Sequence, residues 1–106
     1  MSMGNRWRGE VAVVIEGQRH VARLTLGALA ELEDGLGETT LLGLVQRFES
    51  NQFSARDVVA LLGAGLRAGG ARISDEVLAH AQIEGGPVAA SKAAAELLAR
   101  AFAVPE

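Results

Sequence analysis

The chain has 106 residues, which suits a single domain. Its formal net charge is −3, its one lysine is Lys92 and its arginines are scattered, whereas phosphate binding needs clustered positive charge, so we expect no nucleic-acid partner. The absence of cysteine excludes disulfides, thiol catalysis and cysteine-based zinc sites. The longest apolar runs are far too short to cross a bilayer, so no membrane partner is expected.

Nearly half of the residues are hydrophobic but only 4% are aromatic, which predicts a core of Leu, Val and Ala. We expect residues 1–8 to be a flexible leader and residues 9–106 to form one α+β domain. This domain is predicted to be mostly α, with an N-terminal β-hairpin followed by about five helices. The last helix, predicted over residues 88–103, is the element we expect to be peripheral.

The stretch GEVAVVIEGQRHVARLTL predicts the β-hairpin. Residues 10–15 are rich in β-branched side chains, and residues 19–24 alternate in polarity. The letters EGQ supply the turn, because Gly17 accepts positive φ. Both faces of the first arm carry apolar side chains, so we expect helices on one face and a partner on the other.

Two short helices are predicted to follow the hairpin. Thr25 caps the first, Gly35 or Gly37 ends it, and Thr39 or Thr40 caps the second. The apolar positions of the first helix are Leu26, Leu29, Ala30 and Leu32 or Glu33. Those of the second are Leu41, Leu44, Val45 and Phe48.

The stretch FSARDVVALLGAGLRAGG predicts a third helix with internal glycines. Ser54 and Asp57 form a capping box, and Gly69-Gly70 end the helix. Gly65 lies on the apolar stripe and Gly63 lies beside it. A glycine inside a helix costs about 1 kcal/mol relative to alanine, so we expect each to permit a close backbone approach.

Two more helices complete the predicted fold. Ser74 caps the fourth, whose inward side chains are predicted to be Val77, Leu78, Ala81 and Ile83, and EGGP ends it. The fifth helix is alanine-rich in its first half and carries an apolar patch near its end. Such a helix either packs closely within the domain or docks on another protein.

The sequence offers little catalytic chemistry. His20 and His80 have no second histidine at ligand spacing, so no metal site is expected. Glu31, Glu33 and Asp34 form an acidic cluster, which is interpreted as a solvated face or a contact for a basic partner. No serine has a nearby base or a nucleophile-elbow motif. We therefore expect no enzyme activity and no cofactor.

Two ordered stretches resemble a protein family of gene transfer agents and related tailed phages of alphaproteobacteria. They are NRWRGEVAVVIEGQRHVARLTLGALAELEDGLG and SARDVVALLGAGLRAGGARISDEVL, and the resemblance covers residues 5–80. The matching positions are Asn5, Arg8 to Val11, Leu24, Leu26 to Glu33, Arg56 to Leu62, Ala64 to Leu66 and Gly69. Members of this family are labelled tail tube or tail assembly chaperone proteins.

The resemblance implies a non-enzymatic role in tail morphogenesis. A chaperone of this kind binds the helical tape measure protein before the tube polymerises, and would act in the cytoplasm during particle assembly. The alternatives are a structural tail tube or connector component of the particle, and a small adaptor or regulatory domain that binds proteins. One hairpin and about five helices favour the chaperone, because tube proteins are normally rich in β-structure.

Partner contacts are expected on the glycine-bearing third helix, on the last helix and at the single tryptophan. The partner is the tape measure protein or another tail protein, and a homo-oligomer is also expected. The same side chains have an alternative interpretation, which is packing inside this domain. The residues are Trp7, Val58, Leu62, Gly65, Leu66, Leu97, Leu98 and Phe102.

Overall fold

The structure is a computed structural model that describes residues 9–37 and 40–102. Over these ranges the chain forms a β-hairpin followed by five α-helices, as the sequence predicted. The elements are β1 (Val11–Ile15), β2 (Gln18–Ala22), α1 (Leu26–Leu36), α2 (Leu41–Glu49), α3 (Ala55–Ala68), α4 (Asp75–His80) and α5 (Gly86–Ala101). The predicted leader and the far C-terminal residues lie outside the described ranges.

The hairpin is closed by a two-residue turn, one residue shorter than the predicted EGQ. Glu16 and Gly17 both have positive φ, of 50° and 79°, as this turn type requires. The register pairs Val11 with Ala22 and Ile15 with Gln18. The side chains of Val11, Val13 and Ile15 are buried on one face of the hairpin, which therefore forms a wall of the core.

A short extended segment lies along the second edge of β1, where the sequence predicted helix. Ile83 pairs with Ile15, the Glu16 N–H donates to the Gln82 carbonyl at 2.8 Å, and the Glu84 N–H donates to the Val14 carbonyl at 2.9 Å. Helix α4 consequently ends at His80. The prediction that Ile83 belongs to α4 was wrong, because pairing with β1 satisfies these backbone groups instead.

Four helices begin at the residues that the capping chemistry indicates. They are α1, α2, α3 and α4, with N-caps at Thr25, Thr40, Ser54 and Ser74. Each side-chain oxygen accepts a hydrogen bond from the backbone N–H three residues later, which satisfies one of the free donors of a helix start. The capping box of Ser54 and Asp57 is complete in both directions.

The buried face of α1 differs from the predicted stripe. Ala28 and Leu32 are buried, whereas Leu26 is 86% exposed and Ala30 is exposed. Ala28 and Leu32 are four residues apart and share the face that packs on α3. Leu26 lies two residues, or about 200°, from Ala28 and therefore points away.

Helix α3 is the centre of the fold, and it contacts α1, α4, α5 and β2. Gly65 and Gly69 permit its close approach to the hairpin. The Arg23 N–H donates to the Gly65 carbonyl at 3.0 Å, and a methyl group on Gly69 would overlap the Val21 carbonyl oxygen. Gly63 has a different neighbour, since a methyl group there would meet the carboxylate of Asp75. The internal glycines thus permit two separate contacts, Gly65 with the hairpin and Gly63 with Asp75 at the start of α4.

Helix α5 begins two residues before the predicted start. Pro87 lies in its first turn, where the missing N–H of proline costs nothing. One face of α5 is buried against α3 and β1, so this helix is part of the core. The buried residues are Ala90, Ala93, Ala94, Leu97 and Leu98.

Substituting Gly69 with alanine tests the close packing of α3 on β2. We expect Gly69→Ala to lower the free energy of unfolding by about 1–3 kcal/mol, because the new methyl group would overlap the backbone of β2. Gly63→Ala is the matched control. Its methyl group displaces the exposed Asp75 carboxylate and weakens the Arg67–Asp75 ion pair, but it meets no backbone atom. Because alanine also raises helix propensity by up to about 1 kcal/mol, the net loss should be smaller than for Gly69→Ala. Urea denaturation measures both, and equal losses for the two variants would contradict the packing described here.

Candidate functional site

An apolar groove lies where the first half of α3 faces α4 and the start of α5. Its volume is about 250 Å³ and it is partly open to solvent. The lining is contributed by three stretches of the chain and is apolar apart from one serine. The lining residues are Ala55, Val58, Val59, Leu62, Leu78, Ala79, Ala81, Ile83, Gly86, Pro87, Ala90 and Ser91.

The groove has a buried floor and a more exposed rim. Leu62, Leu78 and Ala90 are buried, at 1%, 2% and 5% exposure, and they belong to three different helices. Val59 and Pro87 are more exposed. A groove of this kind, with small apolar side chains at the rim, is suited to an apolar face of a helix rather than to a polar small molecule.

The predicted partner-binding residues fall into four groups. Val58 and Leu62 line the groove, although both are buried. Phe102 is 47% exposed at the end of α5. Trp7 lies outside the described residues. The remaining four, which are Gly65, Leu66, Leu97 and Leu98, are buried in the core, where this chain's own side chains contact them.

Most of the groove could not be found from the predicted residue set, which contains only Val58 and Leu62 of its twelve lining residues. Leu78, Ile83, Pro87 and Ala90 were not proposed as partner contacts, and each belongs to a region predicted as core, turn or alanine-rich helix. The apolar spacing within each helix indicates which face is inward. It does not indicate which faces leave a gap between them, because that depends on how three helices cross.

Arg67 joins α3 to α1 and to the start of α4. Its Nη1 donates to the Ile73 carbonyl and to Asp75 Oδ1, both at 2.9 Å, and its Nε donates to Glu31 Oε1 at 2.8 Å. Burial lowers the pKa of Arg67, but the two carboxylates prevail and raise it above its ordinary value. Glu31 thus has a structural partner, while Glu33 and Asp34 are simply exposed.

A second ion pair joins α2 to α3. Arg47 donates from Nε to Asp57 Oδ2 at 3.0 Å and from Nη2 to Asp57 Oδ1 at 2.7 Å, a bidentate geometry. Burial of Asp57 raises its pKa, but hydrogen bonds from the Ser54 N–H and from Arg47 act in the opposite direction and prevail. The pKa of Asp57 therefore lies below its ordinary value of 3.8.

The described residues offer no evident metal site. Over residues 9–37 and 40–102, no three histidine, aspartate or glutamate side chains come close enough together to hold a metal ion. His20 is half-buried on β2, and His80 is exposed at the end of α4.

Comparison with known proteins gives one informative result. A family model described as phage tail tube protein, GTA-gp10, matches residues 8–104.

The chain belongs to this family.

No curated protein and no solved structure gives a significant match. The match to the phage tail tube protein family extends through α5, beyond the resemblance recognised over residues 5–80. The groove therefore lies wholly within the residues that the family model matches, and other tail proteins are the class of partner that the family indicates. Within the part of the chain that the structure describes, no helix is long and apolar enough to span a bilayer.

The lowered pKa of Asp57 predicts that the free energy of unfolding decreases as the pH becomes acidic. Because the folded-state pKa lies below the unfolded value, this carboxylate stabilises the fold above about pH 4. Its contribution is lost as the pH falls through the folded-state pKa. Asp57→Asn should lower the free energy of unfolding at pH 7 by about 1–3 kcal/mol and flatten its dependence on pH below 4.

Urea denaturation at several pH values between 2 and 7 measures this effect, with Asp34→Asn as the control because Asp34 is exposed. A pH profile of Asp57→Asn that parallels the wild-type profile would show that this carboxylate is not the linked group.

Proposed function

We propose that this tail protein is a non-enzymatic assembly chaperone that binds the tape measure protein through the apolar groove. The observation that carries the proposal is the architecture. Within the described residues the sheet has two strands, and the remaining elements are helices. A tube ring formed by sheet addition requires long free strand edges, and part of the outer edge of β1 is covered by residues 82–84.

The groove supports the helical nature of the partner. Tape measure proteins are long helices, and an apolar helix face docks in grooves that are lined by side chains from several helices. The floor formed by Leu62, Leu78 and Ala90 is already packed by the fold, so binding does not require the core to rearrange. The site of action under this proposal is the cytoplasm, before the tube polymerises.

The family description favours a second candidate, which is a structural tail tube or connector component. Copies of the chain would then remain in the finished particle. The two candidates differ in how many copies of the protein the finished particle contains, because a chaperone leaves before the particle is complete. Mass spectrometry of purified particles should find the protein absent or in traces under the chaperone proposal, and in a fixed ratio to other tail proteins under the alternative.

Binding is tested by capture of tape measure segments with the tagged full-length chain. Overlapping segments of the tape measure protein from the same genome should include at least one that co-purifies. Val59→Lys places a charge on the half-exposed rim of the groove and should weaken capture at least about tenfold, because the charge must be desolvated.

Ala30→Lys is the matched control, since Ala30 is exposed on α1, outside the groove, and also lies in a helix. Circular dichroism checks that both variants are folded. Equal capture by Val59→Lys and the wild type would remove the groove from the proposal. Failure of every segment to bind, with the protein present in particles at a fixed ratio, would favour the structural component.

A further inference from the structure

Unlike the other helices of the described chain, α2 packs extensively against no other single element. Backbone hydrogen bonds join β2 to α3, from Arg23 N–H to the Gly65 carbonyl, and join β1 to residues 82–84. For residues 40–52 of the described chain, the backbone hydrogen bonds beyond the regular part of α2 stay inside the segment. They include those from Ser50 to Gln46 and from Gln52 to Arg47, at 3.0 and 2.8 Å. Side chains therefore hold this segment in place.

Helix α2 is attached by one fully buried side chain, by an ion pair and by a partly buried apolar face formed by Leu41, Val45 and Phe48. Leu44 is fully buried, and it is the one buried residue of the helix. Arg47 makes the bidentate ion pair with Asp57 of α3. Phe48 and Phe53 stack on each other with ring centroids 4.4 Å apart, and both are partly buried against the core. Because both belong to residues 40–53, movement of this segment preserves the stack and removes only its contacts with the core.

Detachment of α2 would not leave a buried charge unpaired. Asp57 Oδ2 also accepts the Ser54 N–H at 2.9 Å, and this capping bond lies entirely within the start of α3. When Arg47 departs, Asp57 keeps its cap and gains water. The usual penalty for breaking a buried ion pair, a stranded charge, is thereby avoided.

We propose that residues 40–53 form a flap that opens as one unit while the hairpin, α3 and α5 remain folded, with the Arg47–Asp57 pair as its latch. Opening exposes Asp57 of α3, which is buried and paired with Arg47 in the closed state. It also exposes Leu44 on the flap. The inference concerns the isolated chain and does not depend on the proposed function.

Native-state hydrogen exchange of the full chain, followed by NMR in low concentrations of denaturant, tests the flap. The amides of α2 should exchange through an opening with little dependence on denaturant, and those of Leu62 and Leu66 only through global unfolding. Arg47→Met keeps the length of the side chain but removes the latch, and should speed α2 exchange roughly 10- to 100-fold. The exchange of Leu62 and Leu66 relative to global unfolding should not change.

Arg67→Met is the control, because it removes a comparable ion-pair network that does not involve α2. It should leave the exchange rate of the α2 amides unchanged. The proposal is overturned if α2 and α3 amides share one exchange free energy and one denaturant slope in the wild type. If Arg47→Met does not fold, this wild-type comparison decides alone.

Discussion

The close packing of α3 on β2 is the contact on which the rest of the structure depends. Gly65 and Gly69 lie four residues apart, so both face the hairpin, and the absence of side chains there lets backbone meet backbone. A two-stranded hairpin is marginal in water by itself. Its stability comes from α3, which binds it through the Arg23–Gly65 hydrogen bond, and from α5, which covers its apolar face.

This arrangement also determines where the groove lies. The C-terminal half of α3 is occupied by the hairpin and by Leu97 of α5, whereas its N-terminal half, with Val58 and Leu62, faces α4 and the start of α5. Because α4 is only six residues long and residues 82–84 pair with β1 instead of extending α4, this half is incompletely covered. The same constraint thus produces a rigid core at one end of α3 and an apolar groove at the other.

Local chemistry was readable from the sequence, and contacts between distant elements were not. The caps at Thr25, Ser54 and Ser74 follow from the side chain and the next three residues, so they were predicted correctly. For the second helix the prediction was Thr39 or Thr40, and the cap is Thr40. That glycines in α3 mark close approaches was also predictable, but their partners were not, because β2 and α4 are distant in sequence. Ile83 was predicted to be helical because apolar spacing does not reveal that β1 has an unpaired edge to which this residue can hydrogen-bond. The groove was missed in part for the same reason, since three separate stretches build it.

The most direct test of this account is the hydrogen bond between Arg23 and Gly65, measured in the isotopically labelled protein by NMR. The account predicts a scalar coupling across the bond, from the Arg23 amide nitrogen to the Gly65 carbonyl carbon. It also predicts that the Arg23 amide exchanges as slowly as the core of α3. An Arg23 amide that exchanges at the rate of an exposed loop, with no coupling to Gly65, would show that α3 does not dock on the hairpin and would contradict the fold from which the groove is derived.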